Sequence, residues 1–197
     1  MLKNLPALKE WPEELYFQRN LECFDGVLNG LKVGHFQHSA VGRDLTARLL
    51  EALGAEVTIL ERTEEFVPVD TEAVSRKDRE KALNWNSEYG FDLIVSTDGD
   101  GDRPLLADEC GNYFQGDLLG VFTARYLGAK TIVTPVSSNS AVERSGWFDR
   151  VIRTKIGSPH VIAGMKGTEA TIGYEANGGT LTGADFPLSN GSTLSAL

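Results

Sequence analysis

One stretch near the start of the chain alternates strand and helix patterns, and this alternation limits the folds that are open to it. Residues 31–36 and 55–60 have the apolar composition of β-strands, and residues 41–53 between them repeat leucine at every fourth position, as a helix does. A strand, a helix and a strand within about 30 residues predict a βαβ unit. Because the helix carries the chain back to its starting edge, the two strands are parallel. The sequence therefore predicts an α/β fold with a parallel or mixed sheet.

The same rhythm continues on both sides of this unit. A helix pattern at 12–24 precedes it, and further helix and strand patterns follow at 71–88, 91–97, 117–127, 130–136, 140–145, 150–154, 159–166 and 170–174. We predict a connector helix within residues 1–26 and two αβ domains, at 27–117 and 118–197. The last stretch, from 178 to 197, gives no convincing final element, so the second domain is expected to be truncated.

Charge and cysteine content argue against several classes of protein. The chain has 28 Asp and Glu against 19 Lys and Arg, a formal net charge of −9, which repels phosphate backbones and argues against a nucleic-acid partner. Cys23 and Cys110 are far apart and give no zinc-ligand spacing or disulfide framework. No apolar run has the length of a membrane span or a signal peptide. We expect a cytoplasmic chain with no membrane partner.

Three aspartates follow the apolar strand pattern 91–97 at a spacing of two, in the order Asp98, Asp100 and Asp102. Carboxylates about 5 Å apart repel by about 3 kcal/mol per pair at an effective dielectric constant of about 20, and a divalent cation removes that repulsion. The intervening glycines let the backbone curl so that the side chains converge. Carboxylate oxygens suit Mg²⁺, Mn²⁺ or Ca²⁺, and the carboxyl end of a parallel strand is where open sheets bind ligands. We predict a divalent-metal site.

Two other interpretations of this acidic loop remain open. It could be a solvated turn, or it could be a calcium loop of the EF-hand type, in which Glu109 would fill the twelfth position. Against the EF-hand, Arg103 stands where that motif needs glycine, and a strand rather than a helix leads into the loop. Arg103 beside three metal ligands is instead suited to clamp a phosphate that bridges the metal.

The sequence DGDGDR after a buried strand resembles the metal-binding loop of the α-D-phosphohexomutases, the phosphomannomutase/phosphoglucomutase family. A second segment, IGYEANGG at 172–179, resembles the family's sugar-recognition loop of the pattern Gly-Glu-x-Ser-Gly-His. Glu175 matches the glutamate and Asn177 the serine position, whereas Gly179 stands where histidine is usual. Segments 31–57 and 133–143 resemble the openings of the family's second and third domains, and 153–165 resembles a loop that contacts substrate.

This resemblance implies phosphoryl transfer between C1 and C6 of a hexose phosphate, the expected substrate. It implies Mg²⁺ as the cofactor, held by the three aspartates, with Arg103 and Lys155 as catalytic groups. It implies Glu175, Asn177 and Gly157 as substrate-binding residues. The turn at 137–139 is Ser-Ser-Asn where some relatives carry lysine, so no residue is assigned there for proton transfer.

The resemblance covers only part of a family member. The family has four α/β domains, and neither its phosphoserine loop nor its phosphate-gripping loop has a counterpart in these 197 residues. Ser39, after His38, is predicted to be a helix cap, and His35 a core residue. We therefore expect the chain to be inactive alone and to have the missing domains of the same protein as possible partners. A non-enzymatic metal- or sugar-phosphate-binding module and a divalent-metal phosphatase remain as alternatives.

Overall fold

The computed structural model describes residues 11–168 and 170–195, so the predictions for residues 1–10 lie outside the described part. The first helix, α1 (Trp11–Phe24), begins with Glu13 and Glu14 in its first turn, where the partial positive charge of the helix end favours carboxylates. This helix contacts both parts of the chain that follow it. Arg48 donates a hydrogen bond to Glu14 at 2.8 Å, and Asn190 donates one to the carbonyl of Cys23 at 3.0 Å.

The first αβ unit forms a mixed sheet of four strands. Its elements in chain order are β1 (Lys32–Phe36), α2 (Arg43–Ala52), β2 (Glu56–Leu60), α3 (Arg76–Tyr89), β3 (Leu93–Thr97) and β4 (Pro104–Ala107). The strand order is β2-β1-β3-β4, in which β1 runs parallel to β2 and β3, and β4 is antiparallel to β3. The parallel βαβ unit predicted from the sequence is confirmed.

The second unit repeats this arrangement. Its elements are α4 (Gly116–Tyr126), β5 (Thr131–Pro135), α5 (Ala141–Arg144), β6 (Arg150–Thr154), α6 (Ser158–Thr168), β7 (Ile172–Tyr174) and β8 (Thr180–Thr182), followed by the short pair β9 (Phe186–Pro187) and β10 (Thr193–Leu194). The sheet order is β6-β5-β7-β8, again with a parallel core and one antiparallel edge strand.

The shared strand order places the two predicted site loops at equivalent points. Residues 98–103 join β3 to β4, and residues 175–179 join β7 to β8, so each loop follows the last parallel strand of its sheet. Both loops therefore lie at carboxyl strand ends, the edge at which α/β sheets bind ligands. The two units therefore hold the acidic loop and the Glu175 loop at corresponding positions of two similar sheets.

Three local predictions were wrong. Helix α3 begins at Arg76 rather than near 71, because Ser75 caps it and accepts from the Asp78 amide at 3.1 Å. Ser39 does not cap α2. That helix begins after Gly42, and the Ser39 hydroxyl accepts from the Val67 amide at 2.9 Å. The stretch after 178, expected to lack a closing element, contains the three short strands β8, β9 and β10.

The apolar interior is divided between the two units. Phe36, Ile94 and Leu105 lie in the core of the first, and Ile132, Ile172 and Tyr174 lie in the core of the second. His35 is 3% exposed, which confirms it as a core residue. None of the described helices combines the length and the apolar character that a membrane crossing requires.

Candidate functional site

The acidic loop brings its three carboxylates to one point. Oxygens of Asp98, Asp100 and Asp102 all lie within 4.8 Å of one another, with Asp98 half-buried and the other two exposed. Oxygen donors at this spacing can share one hard divalent cation. Glu109, the twelfth residue of the EF-hand alternative, lies outside this group in the turn after β4. Because a strand leads into the loop and Glu109 is elsewhere, the EF-hand alternative is not supported.

Asp98 also organises the backbone of the loop. Its Oδ1 atom accepts hydrogen bonds from the amides of Gly101 at 3.1 Å and Arg103 at 3.3 Å, and its own amide donates to the Arg103 carbonyl at 3.1 Å. Gly101 has a φ of +85°, a conformation that glycine adopts without steric strain. The loop is thus closed on itself by hydrogen bonds between Asp98 and the loop backbone.

The turn between β1 and α2 forms hydrogen bonds with the backbone of the acidic loop and of the residue before it. His38 is fully buried, and its Nε2 lies 2.9 Å from the carbonyl of Thr97, the residue before Asp98. Since a carbonyl only accepts, Nε2 carries the proton of the ring. The amide of Val41 donates to the Gly99 carbonyl at 3.0 Å. His38 was not among the predicted site residues, and its φ of 35° marks it as part of a tight turn.

The charges of the loop favour a bound cation. Burial, followed by the negative charges of Asp100 and Asp102, raises the pKa of the Asp98 carboxyl, and its hydrogen bond from the Arg103 amide opposes this rise. A carboxyl whose pKa is raised by neighbouring carboxylates lacks a compensating positive charge. Arg103 compensates only partly, because its Nε lies 3.8 Å from Asp98 and 3.7 Å from Asp102. The donor set therefore fits a hard divalent metal.

The loop of Glu175 has a fixed backbone of its own. The Glu175 amide donates to the Gly179 carbonyl at 3.0 Å, and the Gly178 amide donates to the Glu175 carbonyl at 3.1 Å. The side-chain oxygen of Asn177 accepts from the Gly179 amide at 2.9 Å. Asn177 thus uses its Oδ1 atom to hold the loop, and its Nδ2 group is left as the donor available to a ligand.

The two loops meet across the boundary between the units. Gly178 has a φ of +93°, and a Cβ atom built there would lie 3.1 Å from the ring of Pro104, which follows the acidic loop. A Cβ atom at Gly116, the first residue of α4, would collide with the backbone of Asn177 and Gly178. Glycine is needed at these positions because the two backbone segments approach each other so closely. The sequence showed an Asn-Gly-Gly turn but not this contact.

A cleft of about 330 Å³ lies between the loops and is lined by Asp102, Arg103, Ser158, Glu175, Asn177, Gly179, Thr180 and Leu181. Four of the predicted site residues are therefore brought together, two from each unit. Lys155 and Gly157 do not line this cleft. They lie in the loop between β6 and α6, one and three residues beyond the strand, where Lys155 is exposed and Gly157 has a φ of +116°. Ser158, which does line the cleft, was not predicted.

Further residues that sequence reasoning missed hold the surrounding turns. The Arg153 guanidinium donates to the carbonyls of Pro135 at 2.8 Å and Ser138 at 2.9 Å and pairs with Glu143. The Asp117 carboxylate accepts from the Asn139 amide at 2.6 Å. Together they fix the Ser-Ser-Asn turn at 137–139. An arginine in a strand gives no sequence signal for such a role.

The fold and the cleft define an α/β protein of two similar units with an acidic loop at their boundary. Two family models match it. One, described as "Phosphoglucomutase/phosphomannomutase, alpha/beta/alpha domain II", matches residues 14–111, and the other, described as domain III of the same family, matches residues 115–197. The chain therefore belongs to the α-D-phosphohexomutase family, as its sequence predicted.

Known proteins resemble the chain over most of its length. The phosphomannomutase of Salmonella muenchen is 50% identical over 162 residues, which cover 80% of this chain and 34% of that protein. The phosphomannomutase of Sinorhizobium fredii is 47% identical over 175 residues, which cover 86% of this chain and 36% of that protein. This chain thus spans about one third of the length of the curated relatives that it matches.

A solved structure has the same fold. The phosphoglucomutase/phosphomannomutase family protein from Burkholderia thailandensis superposes with a TM-score of 0.75 at 19% identity, over 87% of this chain and 39% of that one. At this low identity the likeness establishes the fold alone.

Proposed function

We propose that this chain supplies the metal-binding and sugar-binding halves of a phosphohexomutase active site, which interconverts hexose 1-phosphate and hexose 6-phosphate. One observation carries the proposal. Asp102 and Arg103 from one unit line the same cleft as Glu175 and Asn177 from the other. The identity of about 50% to two phosphomannomutases supports a mutase over a different phosphate chemistry.

In the metal half, Asp98, Asp100 and Asp102 would hold Mg²⁺. When bound, Mg²⁺ neutralises charge on phosphate oxygens as the phosphoryl group is transferred. Arg103 follows the last of these ligands and lines the cleft, so its guanidinium can donate to a phosphoryl oxygen there. Phosphoryl transfer depends mainly on positioning and charge stabilisation, and these residues provide both.

In the sugar half, the Glu175 carboxylate accepts hydrogen bonds from sugar hydroxyls, and the Nδ2 group of Asn177 donates one. A carboxylate is an acceptor on both oxygens, and the amide group is a donor. This pair suits adjacent hydroxyls that each donate and accept. Because the loop backbone is closed by its own hydrogen bonds, the backbone that carries the pair is fixed before the sugar arrives.

Lys155 and Gly157 belong to the proposal as residues near the cleft. Both precede Ser158, which lines it. We propose that Lys155, exposed in this loop, approaches a bound phosphate, and that Gly157 lets the loop turn beneath it. The cytoplasmic location inferred from the sequence is also a proposal.

The chain alone should not turn over substrate. A mutase needs a group that holds the phosphoryl between its two transfers, and the family's serine loop has no counterpart here. Ser39 does not lie in such a loop, and its hydroxyl accepts a hydrogen bond from the Val67 amide. In a coupled assay with hexose 1-phosphate, Mg²⁺ and a bisphosphate activator, we expect no turnover. Turnover that Ser39→Ala abolishes would overturn this part of the proposal.

The proposal is tested by mapping ligand contacts on the chain in solution. Mannose 1-phosphate, mannose 6-phosphate and glucose 1-phosphate are titrated in the presence of Mg²⁺ while backbone amide shifts are followed by NMR. We expect shifts at residues 102–103 and 175–180, and weaker binding by Glu175→Gln. Shifts confined to other surfaces, or equal binding by Glu175→Gln, would contradict the assigned site.

The phosphatase alternative requires an aspartate that attacks the phosphoryl group. In this loop all three carboxylates converge on one point, which suits metal ligation rather than attack. Release of inorganic phosphate from hexose phosphates by the chain alone would favour the phosphatase.

A further inference from the structure

Thr71 makes a partly buried hydrogen bond from the first unit to the sugar loop of the second. It lies in the long loop between β2 and α3, is 3% exposed, and its hydroxyl donates to the backbone carbonyl of Asn177 at 3.0 Å. A threonine in a polar loop gives no sequence signal for a functional role. The bond joins positions that are 106 residues apart in the chain.

The donor end of this bond is fixed to the first unit. Asp70 accepts from the amides of Glu72 at 2.9 Å and Ala73 at 3.0 Å, which forms a turn around Thr71. Upstream, the Val67 amide donates to the Ser39 hydroxyl at 2.9 Å. Thr71 also lines a cleft of about 870 Å³ together with Arg103. Thr71 therefore shares a cleft with the arginine proposed to bind phosphate.

The acceptor end belongs to the loop whose side chains face the cleft. The carbonyl of Asn177 accepts from Thr71, whereas its side chain holds the Gly179 amide. The contact of Gly178 with Pro104 limits how closely the two units can approach, but it has no preferred direction. A hydrogen bond is directional, so Thr71 can set the orientation of the loop as well as its distance.

We propose that Thr71 is a positioning residue that fixes the 175–179 loop over the acidic loop. Its hydroxyl holds the Asn177 carbonyl, so that Glu175 and the Nδ2 group of Asn177 face Asp102 and Arg103. Without that hydroxyl, the internal hydrogen bonds of the loop open more often, and the loop loses its fixed relation to the metal-binding unit. The ligand part of this inference rests on the proposed function, whereas the positioning part does not.

Three variants separate the hydroxyl from the rest of the side chain. Thr71→Val keeps the shape and removes the hydroxyl, and Thr71→Ser keeps the hydroxyl. Thr168→Val is the matched control, because the Thr168 hydroxyl donates to the Gly164 carbonyl within α6. Hydrogen exchange of the Gly178 and Gly179 amides, measured by NMR without ligand, reports the loop directly, since both amides are hydrogen-bonded.

We expect Thr71→Val to speed exchange of these two amides about fivefold, as loss of one hydrogen bond implies, while the Val33 amide in β1 keeps its rate. Thr71→Ser should restore the wild-type rate, and Thr168→Val should not change it. Unchanged exchange in Thr71→Val, or equally fast exchange in Thr71→Ser, would overturn the inference.

A second measurement connects the position of the loop to ligand binding. Thr71→Val should weaken mannose 6-phosphate binding severalfold and leave Mg²⁺ affinity unchanged, with rescue by Thr71→Ser. Equal losses of sugar-phosphate and Mg²⁺ affinity would indicate general disruption and overturn the inference. If the wild-type chain binds no hexose phosphate, the proposed function fails, and the exchange rates still decide the role of Thr71.

Discussion

Asp100→Asn should be more stable than wild type in the absence of metal and less stable than wild type in Mg²⁺. The order of stability of the two proteins should therefore reverse when Mg²⁺ is added. Asp100 is the aspartate to change because Arg103 lies near the other two and partly offsets their charge. It is exposed, so the substitution leaves the core unaltered. Asn keeps the size of the side chain and removes its negative charge.

The size of the effect follows from the spacing of the carboxylates. At 4.8 Å, the outer limit of the group, one pair repels by about 0.9 kcal/mol at the dielectric constant of water and by about 3.5 kcal/mol at an effective value of 20. Because Asp100 is exposed, the lower value applies. Its removal ends two repulsions, so the free energy of unfolding should rise by about 1–2 kcal/mol.

The assay is thermal unfolding in EDTA and in increasing Mg²⁺. For a chain of this size, 1 kcal/mol shifts the melting temperature by about 2–4 °C, so Asp100→Asn should melt several degrees above wild type in EDTA. In Mg²⁺ at 100 times its dissociation constant, wild type should gain about 2.7 kcal/mol. The variant should gain much less, because it has lost a ligand.

Glu109→Gln is the control, because it removes one negative charge outside the aspartate group. Glu109→Gln should leave the stabilisation by Mg²⁺ intact. If Glu109 were a metal ligand, as in an EF-hand, this substitution would reduce that stabilisation. A variant Asp100→Asn that is no more stable than wild type in EDTA, or equal stabilisation of both proteins by Mg²⁺, would refute the role assigned to the three aspartates.

Two further predictions concern a buried histidine and a glycine. Burial, and then the charge of His38, lowers the pKa of His35 from 6.5 to about 4, with Asp44 opposing. The unfolded chain therefore takes up this proton first, and stability should fall by up to about 3 kcal/mol as the pH drops from 6.5 to 4. Urea unfolding across that range should show a shallower fall in His35→Gln. Gly178→Ala and Gly128→Ala both place a side chain at positive φ, at a cost of about 1–2 kcal/mol. Only the first should also weaken hexose phosphate binding, because a Cβ atom there meets Pro104, whereas nothing lies within 4 Å at Gly128. Equal binding by the two glycine variants would contradict this account of the loop.

The sequence predicted the parts of the molecule that depend on local pattern. Apolar strands that end just before Asp98 and Glu175 placed both loops at carboxyl strand ends, and the glycines of both loops were apparent as turn residues. The short strands β8 to β10 have two or three residues each, which is too few for a period to appear. The start of α3 was misplaced because Asp70 and Ser75 are both cap-forming residues, and only the fold decides between them.

The contacts between the units could not be predicted from pattern. Thr71 and Asn177 are 106 residues apart, and nothing in the sequence around either residue indicates that the two are in contact. The same holds for Gly116, whose need for a small residue comes from the backbone of the sugar loop. The sequence assigned no role to His38, and its hydrogen bond to the Thr97 carbonyl became evident only in the fold. Long-range positioning therefore had to come from the structure.

One cleft of this chain is proposed to bind a metal and a hexose phosphate together. The most direct test is a titration of mannose 6-phosphate, followed by NMR, in Mg²⁺ and again in EDTA. We predict tighter sugar-phosphate binding in Mg²⁺ and an equal increase in Mg²⁺ affinity in saturating sugar phosphate, because binding linkage is reciprocal. Glu175→Gln should weaken mannose 6-phosphate binding and leave the Mg²⁺ affinity of the sugar-free chain unchanged. Identical mannose 6-phosphate affinity in Mg²⁺ and in EDTA would contradict the account.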